Sequence, residues 1–385
     1  MLKKKNRKTN APADFSKKSI IMVLFYFLLL SYFPGHSGNY KGEGEAMHIF
    51  WVIRARNVAF FLIASFALLL VAYSLNYAAK EVLGGKPKNA IFMGHELDPK
   101  AANLREQVTR LTQSLNQQPV AAQYDAINKA VIPEVNGFTF DVDACVEAIR
   151  AVKKGGVVQP VWQETEPDMK LADFALYPVY QGNPLKNQIA LVINVSWGNE
   201  YLDEMLTILE TNAVSASFFL VGRWAEQNAD MVKKIQRLGH DFGNHGYSDP
   251  HMQELSAEAI KEEIAKTNRA VEELTGIKLK WFSPPYGEKV EKIYTAAADL
   301  GMHTVLWSLD TIDWTLPGEE VIIRRIVDNL HNGAIVLMHP TEQTPGALEA
   351  IIDGARQKNM EFVTVSELLN PSYWPQKYSS LWTGN

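Results

Sequence analysis

Five short groups of polar and aromatic residues follow apolar segments in the second half of the chain. They occupy residues 194–200, 244–251, 282–287, 310–314 and 339–340. Histidine, carboxylate and amide side chains of this kind can transfer protons or bind a metal ion, and indole and phenol rings can line an apolar pocket. Five such groups are hard to explain by packing alone, so we expect them to form one site.

The elements that must position these groups are strands alternating with helices. Apolar strand patterns occupy residues 189–194, 215–222, 241–244, 280–283, 303–308, 334–338 and 361–365. Helical patterns occupy residues 202–210, 229–238, 256–274, 321–330 and 348–358, and Gly276 is a stop signal after the longest of them. This alternation predicts an α/β fold, either a parallel barrel or a doubly wound sheet. Both architectures collect chemistry at the carboxyl ends of the strands.

The five groups resemble, in order, the five motifs of the polysaccharide deacetylase domain, the NodB homology domain of carbohydrate esterase family 4. The resemblance covers residues 185–370 and includes the apolar frames ASFFLVGRW and EFVTVSELL. It implies a deformed (β/α)7 barrel that removes acetyl groups from N-acetylated sugars of peptidoglycan or chitin. Residues 193–201, INVSWGNEY, resemble the subgroup associated with sporulation in endospore-forming bacteria.

The resemblance implies two neighbouring aspartates in the first motif, a general base and a metal ligand, where this chain has Asn194 and Val195. An Asn amide is neutral and cannot act as the base, and loss of a general base typically costs ~10²–10⁴ in rate. Val195 has no ligand atom. The arginine that pairs with the base in the family is Ser283 here. Both halves of this ion pair are absent together, which avoids an unpaired buried charge.

The second motif of the family supplies two metal-binding histidines. His245 matches the first, Asp249 stands at the second, and His251 follows two residues later. Asp is a legitimate zinc ligand, so His245 and Asp249, completed by His251 or Glu200, could bind zinc or a similar divalent metal. The alternative is that no metal binds and that the two histidines are hydrogen-bonded structural residues.

The fourth and fifth motifs are complete. Asp310, Asp313 and Trp314 match the fourth, and His339 matches the general acid. In the family, an aspartate of the fourth motif orients and charges that histidine, which raises its pKa. The catalytic candidates are therefore His339, Asp310 and Asp313.

The acetyl pocket of the family is matched by Pro285, Tyr286, Trp314 and Leu337, although Tyr286 and Trp314 could instead pack in the core. These matches leave three functions open. The first is an active deacetylase of cell-wall glycan, hydrolysing a carbon–nitrogen amide bond. The second is an inactive relative that binds the same glycan, and the third is a structural partner in an envelope complex.

Two apolar segments precede these domains. Residues 58–79 carry no charge and are long enough to span a bilayer, whereas residues 20–33 are short. Arg54 and Arg56 before the longer segment predict a single-pass anchor with the large domain outside the cell membrane, and a cleaved signal peptide is the alternative. Residues 1–46 are a candidate leader, because Lys41-Gly42-Glu43 can be encoded by a ribosome-binding sequence shortly before Met47. Residues 47–80 would then hold the cytoplasmic start and the anchor.

Between anchor and barrel we expect a linker with a short helix at residues 81–118 and a small α/β domain at residues 119–180. Its pattern is a strand at 138–142, a helix at 144–152 capped by Asp143, and a strand at 157–162. This pattern resembles a small peptidoglycan-binding domain found beside cell-wall enzymes, and a plain spacer domain is the alternative. Residues 371–385 are a tail.

The composition is that of an ordinary globular protein. The chain has 385 residues and a net charge of -5, which argues against nucleic acid as a partner because a phosphate backbone requires clustered Lys and Arg. Cys145 is the single cysteine, so the chain has neither an internal disulfide nor a cysteine-based zinc site. The expected partners are cell-wall glycan and, through the anchor, the membrane.

Overall fold

The structure is a computed structural model that describes residues 89–153 and 155–380, together with 70, 71 and 73. The candidate leader, the short apolar segment 20–33 and nearly all of the predicted anchor lie outside these residues. Among the described residues, no helix has the length and apolar character needed to cross a membrane. The folded part described below belongs to the unit Lys86–Asn385.

The first part of this unit consists of short strands and two helices. The strands are β1 (Ala90–Phe92), β2 (His95–Leu97), β3 (Gln123–Asp125), β4 (Ala130–Ile132), β5 (Gly137–Phe140), β6 (Val157–Val158) and β7 (Trp162–Thr165), and the helices are α1 (Leu104–Thr112) and α2 (Val142–Ala151). β1 pairs with β2 and β6, β3 with β4, and β5 with β7.

Three details of this region correct the sequence-based expectations. The predicted linker contains the hairpin β1–β2, and its residue Phe92 shares a buried core with Leu104 of α1 and Ile149 of α2. The predicted strand 157–162 divides into β6 and β7, which belong to different sheets. The cap of α2 is Asp141 and not Asp143, because the Asp141 side chain accepts a hydrogen bond from the Ala144 amide at 2.9 Å.

A parallel sheet of eight strands forms the larger part. The strands are β8 (Gln188–Val195), β9 (Ser217–Leu220), β10 (Asp241–Asn244), β11 (Trp281–Phe282), β12 (His303–Thr304), β13 (Leu309–Asp310), β14 (Ile335–Met338) and β15 (Glu361–Val363). The helices are α3 (Asn199–Thr211), α4 (Gly222–Gln227), α5 (Ala229–Arg237), α6 (Ala257–Thr275), α7 (Glu291–Asp299), α8 (Glu319–Val327), α9 (Thr344–Gln357), α10 (Val365–Leu368) and α11 (Trp374–Lys377).

The sheet is parallel, as expected, and curls into a half-barrel. Its order is β12-β11-β10-β9-β8-β14-β13, and β15 also pairs with β8. Only His303–Thr304 of the predicted strand 303–308 is a strand, β12, whereas β13 begins after that range at Leu309 and lies at the opposite edge of the sheet. Residues 305–308 therefore cross from one edge of the sheet to the other, and the two described edge strands, β12 and β13, do not pair with each other.

The two faces of the sheet contribute to different cores. On β8, Leu191 and Ile193 pack in a large cluster with residues of the surrounding helices, which defines the outer face. Ala190 and Val192 pack with Phe219 in a second cluster that faces the barrel interior, the inner face. Side chains along a strand alternate between faces, so each residue near a strand end can be assigned to one of them.

Helix α6 shows how local sequence sets the ends of an element. The Ser256 side chain accepts a hydrogen bond from the Ala259 amide at 3.2 Å, and Gly276 ends the helix in a left-handed conformation with φ of 73°. The predicted stop at Gly276 is confirmed. The described part of the predicted tail packs against the fold, because Tyr373 and Trp374 share a buried cluster with Phe138.

Candidate active site

Four predicted residues lie together on the inner face at the carboxyl ends of the strands, and we call them the strand-end site: Asn194, His245, Ser283 and His339. Asn194 continues the inner series of Ala190 and Val192 on β8. Ile193 pairs with Met338, which places Asn194 level with His339 on the neighbouring strand. The expected convergence of the motifs at one end of the barrel follows from this register.

His339 is held by one buried carboxylate. Its Nδ1 lies 2.9 Å from Asp313 Oδ1, and its backbone amide donates to Asp313 Oδ2 at 2.7 Å. Thr344 Oγ1 donates to the same Oδ2 at 2.8 Å. Because a carboxylate can only accept a hydrogen bond, Nδ1 carries a proton, and Nε2 is the ring nitrogen that does not face the carboxylate. Asp313 therefore orients the imidazole, as a motif-four aspartate should.

Asp310, the other catalytic candidate of this motif, does not contact His339. Its Oδ2 accepts from Trp307 Nε1 at 3.1 Å, and its Oδ1 accepts from the Ile312 amide at 2.8 Å. Both oxygens thus serve the turn that follows β13. Of the two aspartates that the sequence left as candidates for orienting His339, Asp313 is therefore the partner.

Sequence reasoning missed Trp197 as a site residue. Its ring is parallel to the His339 imidazole, with 5° between the planes and 6.3 Å between the centroids, and it is 46% exposed. Gly198 makes this possible: its φ is 81°, and a Cβ there would lie 2.1 Å from the Pro340 carbonyl oxygen. The signal that could have found it is an aromatic residue followed by glycine directly after a strand.

His245 is buried, and its Nδ1 lies 2.8 Å from the Ser283 carbonyl oxygen. The carbonyl can only accept, so Nδ1 carries the proton and Nε2 has the lone pair, as in histidines that bind metals. Burial lowers the pKa of His245 to about 4, against an opposing effect of the Asp249 carboxylate. His245 is therefore neutral at pH 7.

His251 belongs to a different cluster. Its Nδ1 lies 2.9 Å from Oε1 of the buried Glu288, and its ring stacks on Tyr286 at 4.0 Å between centroids. The Tyr286 hydroxyl donates to the Asp249 carbonyl at 3.3 Å. Tyr286 and Asp249 both have left-handed backbones, with φ of 59° and 61°. These contacts join the two loops that follow β10 and β11.

The residues present do not fit a catalytic divalent metal. A zinc site of that kind requires three protein ligands and an open position. Glu200 is exposed on the first turn of α3, and Val195 is buried in the outer, helix-facing cluster. Over the described ranges, no group of three His, Cys, Asp or Glu side chains is arranged to hold a metal ion. His245 and Asp249 remain as two candidate donors.

The matched pocket residues divide into two kinds. Pro285 and Leu337 are buried, whereas Tyr286 is 62% and Trp314 is 60% exposed. The two exposed rings are not core residues, which removes the packing alternative. With Trp197 they form what we call the aromatic rim, three exposed rings on the loops that carry the site.

Comparison with known proteins agrees with the resemblance to polysaccharide deacetylases that the sequence motifs indicated. Residues 181–305 match the family model for polysaccharide deacetylase. The uncharacterized protein YlxY of Bacillus subtilis strain 168 is 35% identical over 311 residues, 81% of this chain and 94% of that protein. A peptidoglycan-N-acetylglucosamine deacetylase of Bacillus cereus is 31% identical over 198 residues, 50% of this chain and 72% of that protein.

Two solved structures show a similar fold. BA3943 of Bacillus anthracis, described as a pseudoenzyme of carbohydrate esterase family 4, is 35% identical and matches with a TM-score of 0.62 over 71% of this chain and 96% of its own. A BA3943 mutant with restored enzymatic activity matches with a TM-score of 0.61 at 34% identity, over 70% of this chain and 98% of its own. The barrel, the order of its motifs and these relatives show that the chain belongs to the polysaccharide deacetylase family.

Proposed function

We propose that this protein binds N-acetylated cell-wall glycan of the peptidoglycan type at the strand-end site and does not hydrolyse it. The observation that carries the proposal is the division of the site into two halves. His339 and Asp313 keep the geometry of an acid and its orienting carboxylate. At the positions of the family's aspartates, Asn194 cannot act as a base and Val195 has no ligand atom.

The aromatic rim supports glycan binding. Trp197, Tyr286 and Trp314 are three exposed aromatic rings on loops next to the acid, and aromatic faces pack well against the apolar faces of sugar rings. The related Bacillus cereus protein is named for its action on peptidoglycan. BA3943, which this chain matches over 96% of its length, is described as a pseudoenzyme. This description supports binding without turnover.

The test measures binding and acetate release on one sample. The full-length protein is incubated with purified N-acetylated peptidoglycan, with and without added zinc, and both co-sedimentation and free acetate are recorded. We expect sedimentation and no acetate above the background. Acetate release that disappears in His339→Ala would show a working deacetylase, the alternative that the intact His339–Asp313 pair favours. A protein that stays in the supernatant would overturn the binding proposal.

A matched pair of variants locates the binding surface. Trp314→Ala should weaken binding about fivefold, since an aromatic contact contributes roughly 1 kcal/mol. Leu300→Ala removes another exposed apolar side chain, one that precedes β12 at the opposite, amino end of the strands, and should leave binding unchanged. Equal effects of the two substitutions would argue against the strand-end site.

We also propose that the domain lies outside the cell membrane, behind an anchor at residues 58–79, with residues 119–180 as a second contact to the wall. Protease added to intact cells should then cleave the protein. Protection until the cells are lysed would contradict this location.

The likeness of residues 193–201 to the sporulation-associated subgroup supports a role in spore formation, and the amount of protein should rise in sporulating cells. A constant amount would contradict that role.

A further inference from the structure

Three hydrogen-bond acceptors in and beside the strand-end site receive no hydrogen bond from the residues that the structure describes. They are Oδ1 of Asn194, Nε2 of His245 and the side-chain carboxylate of Asp249. Asn194 is only 4% exposed, and the other ring nitrogen of His245 is already engaged by the Ser283 carbonyl. Leaving a buried acceptor without a donor is unfavourable, so this set suits a ligand that donates hydrogen bonds.

The Asp249 carboxylate lies near His245. Burial is the main cause that lowers the pKa of His245, whereas the Asp249 carboxylate raises this pKa and His339 lowers it further. Both groups are therefore close enough to act electrostatically on the buried imidazole. The Tyr286 hydroxyl donates to the Asp249 backbone carbonyl at 3.3 Å, which helps to hold the carboxylate beside the strand-end site.

No positive side chain pairs with this carboxylate within the described ranges. The two histidine ion pairs on the same side of the barrel involve Glu288 and Asp313 instead, and Ser283 stands where the family has an arginine. The donor set does not fit a divalent metal, as shown above. A carboxylate partly removed from water still favours a positive partner, so the site is left with a charge to be matched by a ligand.

An ammonium group complements these acceptors. It carries one positive charge and three N–H donors and has no acceptor, and its donors equal in number the three free acceptors of Asn194, His245 and Asp249. It also differs from a metal ion in that it does not require the fixed coordination geometry of three protein ligands. In a glycan built from amino sugars, an ammonium group arises wherever an acetyl group has been removed.

We propose that the strand-end site, together with Asp249, binds the free amine of a de-N-acetylated sugar within the glycan. This inference rests on the proposed glycan binding and deepens it. The neighbouring N-acetylated sugars contact the aromatic rim, and one deacetylated sugar directs its ammonium group at Asp249, His245 and Asn194. The protein thus recognises the group that the active enzymes of the family leave behind.

The experiment compares two pentasaccharides with the same β-1,4 backbone. Chitopentaose is acetylated on every sugar, and the second ligand is the same pentasaccharide with one free amine. Titration calorimetry of the full-length protein, treated with EDTA, should give about tenfold tighter binding of the amine-bearing ligand, the difference that a charge-assisted hydrogen bond supplies. Equal affinity for the two ligands would overturn this inference and leave glycan binding intact. Binding of neither ligand would overturn the proposed function itself.

Two substitutions that remove the same charge assign the effect to the site. Asp249→Asn keeps the size of the side chain, and Asn tolerates the left-handed backbone at this position, where φ is 61°. We expect this variant to lose the preference for the amine and to keep the affinity for chitopentaose. Asp328→Asn is the control, because Asp328 is exposed after α8 at the amino end of the strands. A preference that survives Asp249→Asn, or one that falls equally in both variants, would overturn the assignment.

Competition separates the sugar amine from the other source of amines in peptidoglycan, the stem peptide. Glucosamine should displace the amine-bearing pentasaccharide at a lower concentration than Nα-acetyl-lysine does, since only the sugar also contacts the aromatic rim. Equal or stronger displacement by Nα-acetyl-lysine would assign the site to a peptide amine and overturn the proposed ligand.

Discussion

At the scale of single residues, the site is divided by hydrogen bonding. The acid side is fully connected, because Asp313 accepts from the His339 ring, the His339 backbone and Thr344. The opposite side holds Asn194 and Ser283 with unpaired atoms among the described residues. The two halves of the site therefore differ in how completely their polar atoms are paired.

The connection of Asp313 leads to a stability prediction. Asp313→Asn replaces one acceptor oxygen of a buried carboxylate by a donor, which disrupts contacts with His339 and Thr344. We expect a loss of about 1–3 kcal/mol in the free energy of unfolding, measured by urea denaturation. Asp310→Asn is the control, and its loss should be smaller because Asp310 is only partly buried. Similar losses for the two variants would contradict the assigned roles.

At the scale of elements, the end of β8 shows the surroundings of the residue that stands at the family's metal-ligand position. Val195 is the last residue of this strand and is fully buried among the helix-facing apolar side chains. A carboxylate introduced there would have to leave water for an apolar environment, which is costly without a partner. Compared with the family's aspartate, Val195 therefore alters the packing at the end of β8 and also removes a metal ligand.

The loop after β8 supports a second prediction. Gly198 and Gly239 both have left-handed backbones, with φ of 81° and 83°. A Cβ at Gly198 would lie 2.1 Å from the Pro340 carbonyl oxygen, whereas a Cβ at Gly239 meets nothing within 4 Å. Gly239→Ala should cost roughly 1–2 kcal/mol from backbone strain alone, and Gly198→Ala should cost clearly more.

The measurement is urea denaturation of both variants, with glycan sedimentation as a second readout. Displacement of the loop in Gly198→Ala should move Trp197 off His339 and weaken sedimentation, while Gly239→Ala should sediment as the wild type does. If both variants lose the same stability and bind equally well, the contact with Pro340 does not hold the rim in place.

At the scale of the whole molecule, two histidines outside the site couple stability to pH. His240 and His303 are buried, and burial lowers the pKa of each to about 4. His303 Nε2 donates to the Tyr177 carbonyl at 2.9 Å, and His240 Nδ1 accepts from the Ala216 amide at 3.2 Å. Both are therefore neutral in the folded protein at pH 7.

The direction of the pH effect follows from these shifts. Between pH 6.5 and 4 the unfolded chain binds a proton on each histidine and the folded protein does not, so stability falls as the pH falls. Each histidine should contribute a loss on the order of 2 kcal/mol between pH 7 and pH 5, measured by urea denaturation at both values. His303→Gln keeps a donor for Tyr177 and should reduce this loss. An unchanged difference between pH 7 and pH 5 would contradict the role of His303.

The residue types of the sequence already determined much of this protein. The alternation of strands and helices predicted a parallel α/β fold, either a barrel or a doubly wound sheet, with its polar groups at the strand ends. The family resemblance favoured the barrel, and the family assignment is confirmed. The replacements Asn194, Val195, Asp249 and Ser283 can be seen without coordinates, because the ability to carry charge or bind a metal belongs to the residue type. The sequence could not predict that the strand expected at 303–308 ends after Thr304, because the partners that define a strand's length lie elsewhere in the chain.

Only the tertiary structure decided which residues meet. His339 and Asp313 are 26 positions apart, and the register of β13, β14 and the turn after β13 selects Asp313 instead of Asp310. The same holds for His251, which faces Glu288, and for Trp197, which stacks on His339. Local sequence sets what each side chain can do. The pairing of distant strands sets the distances between side chains, and at this site it places Asn194 level with His339 and Asp313 against the His339 ring.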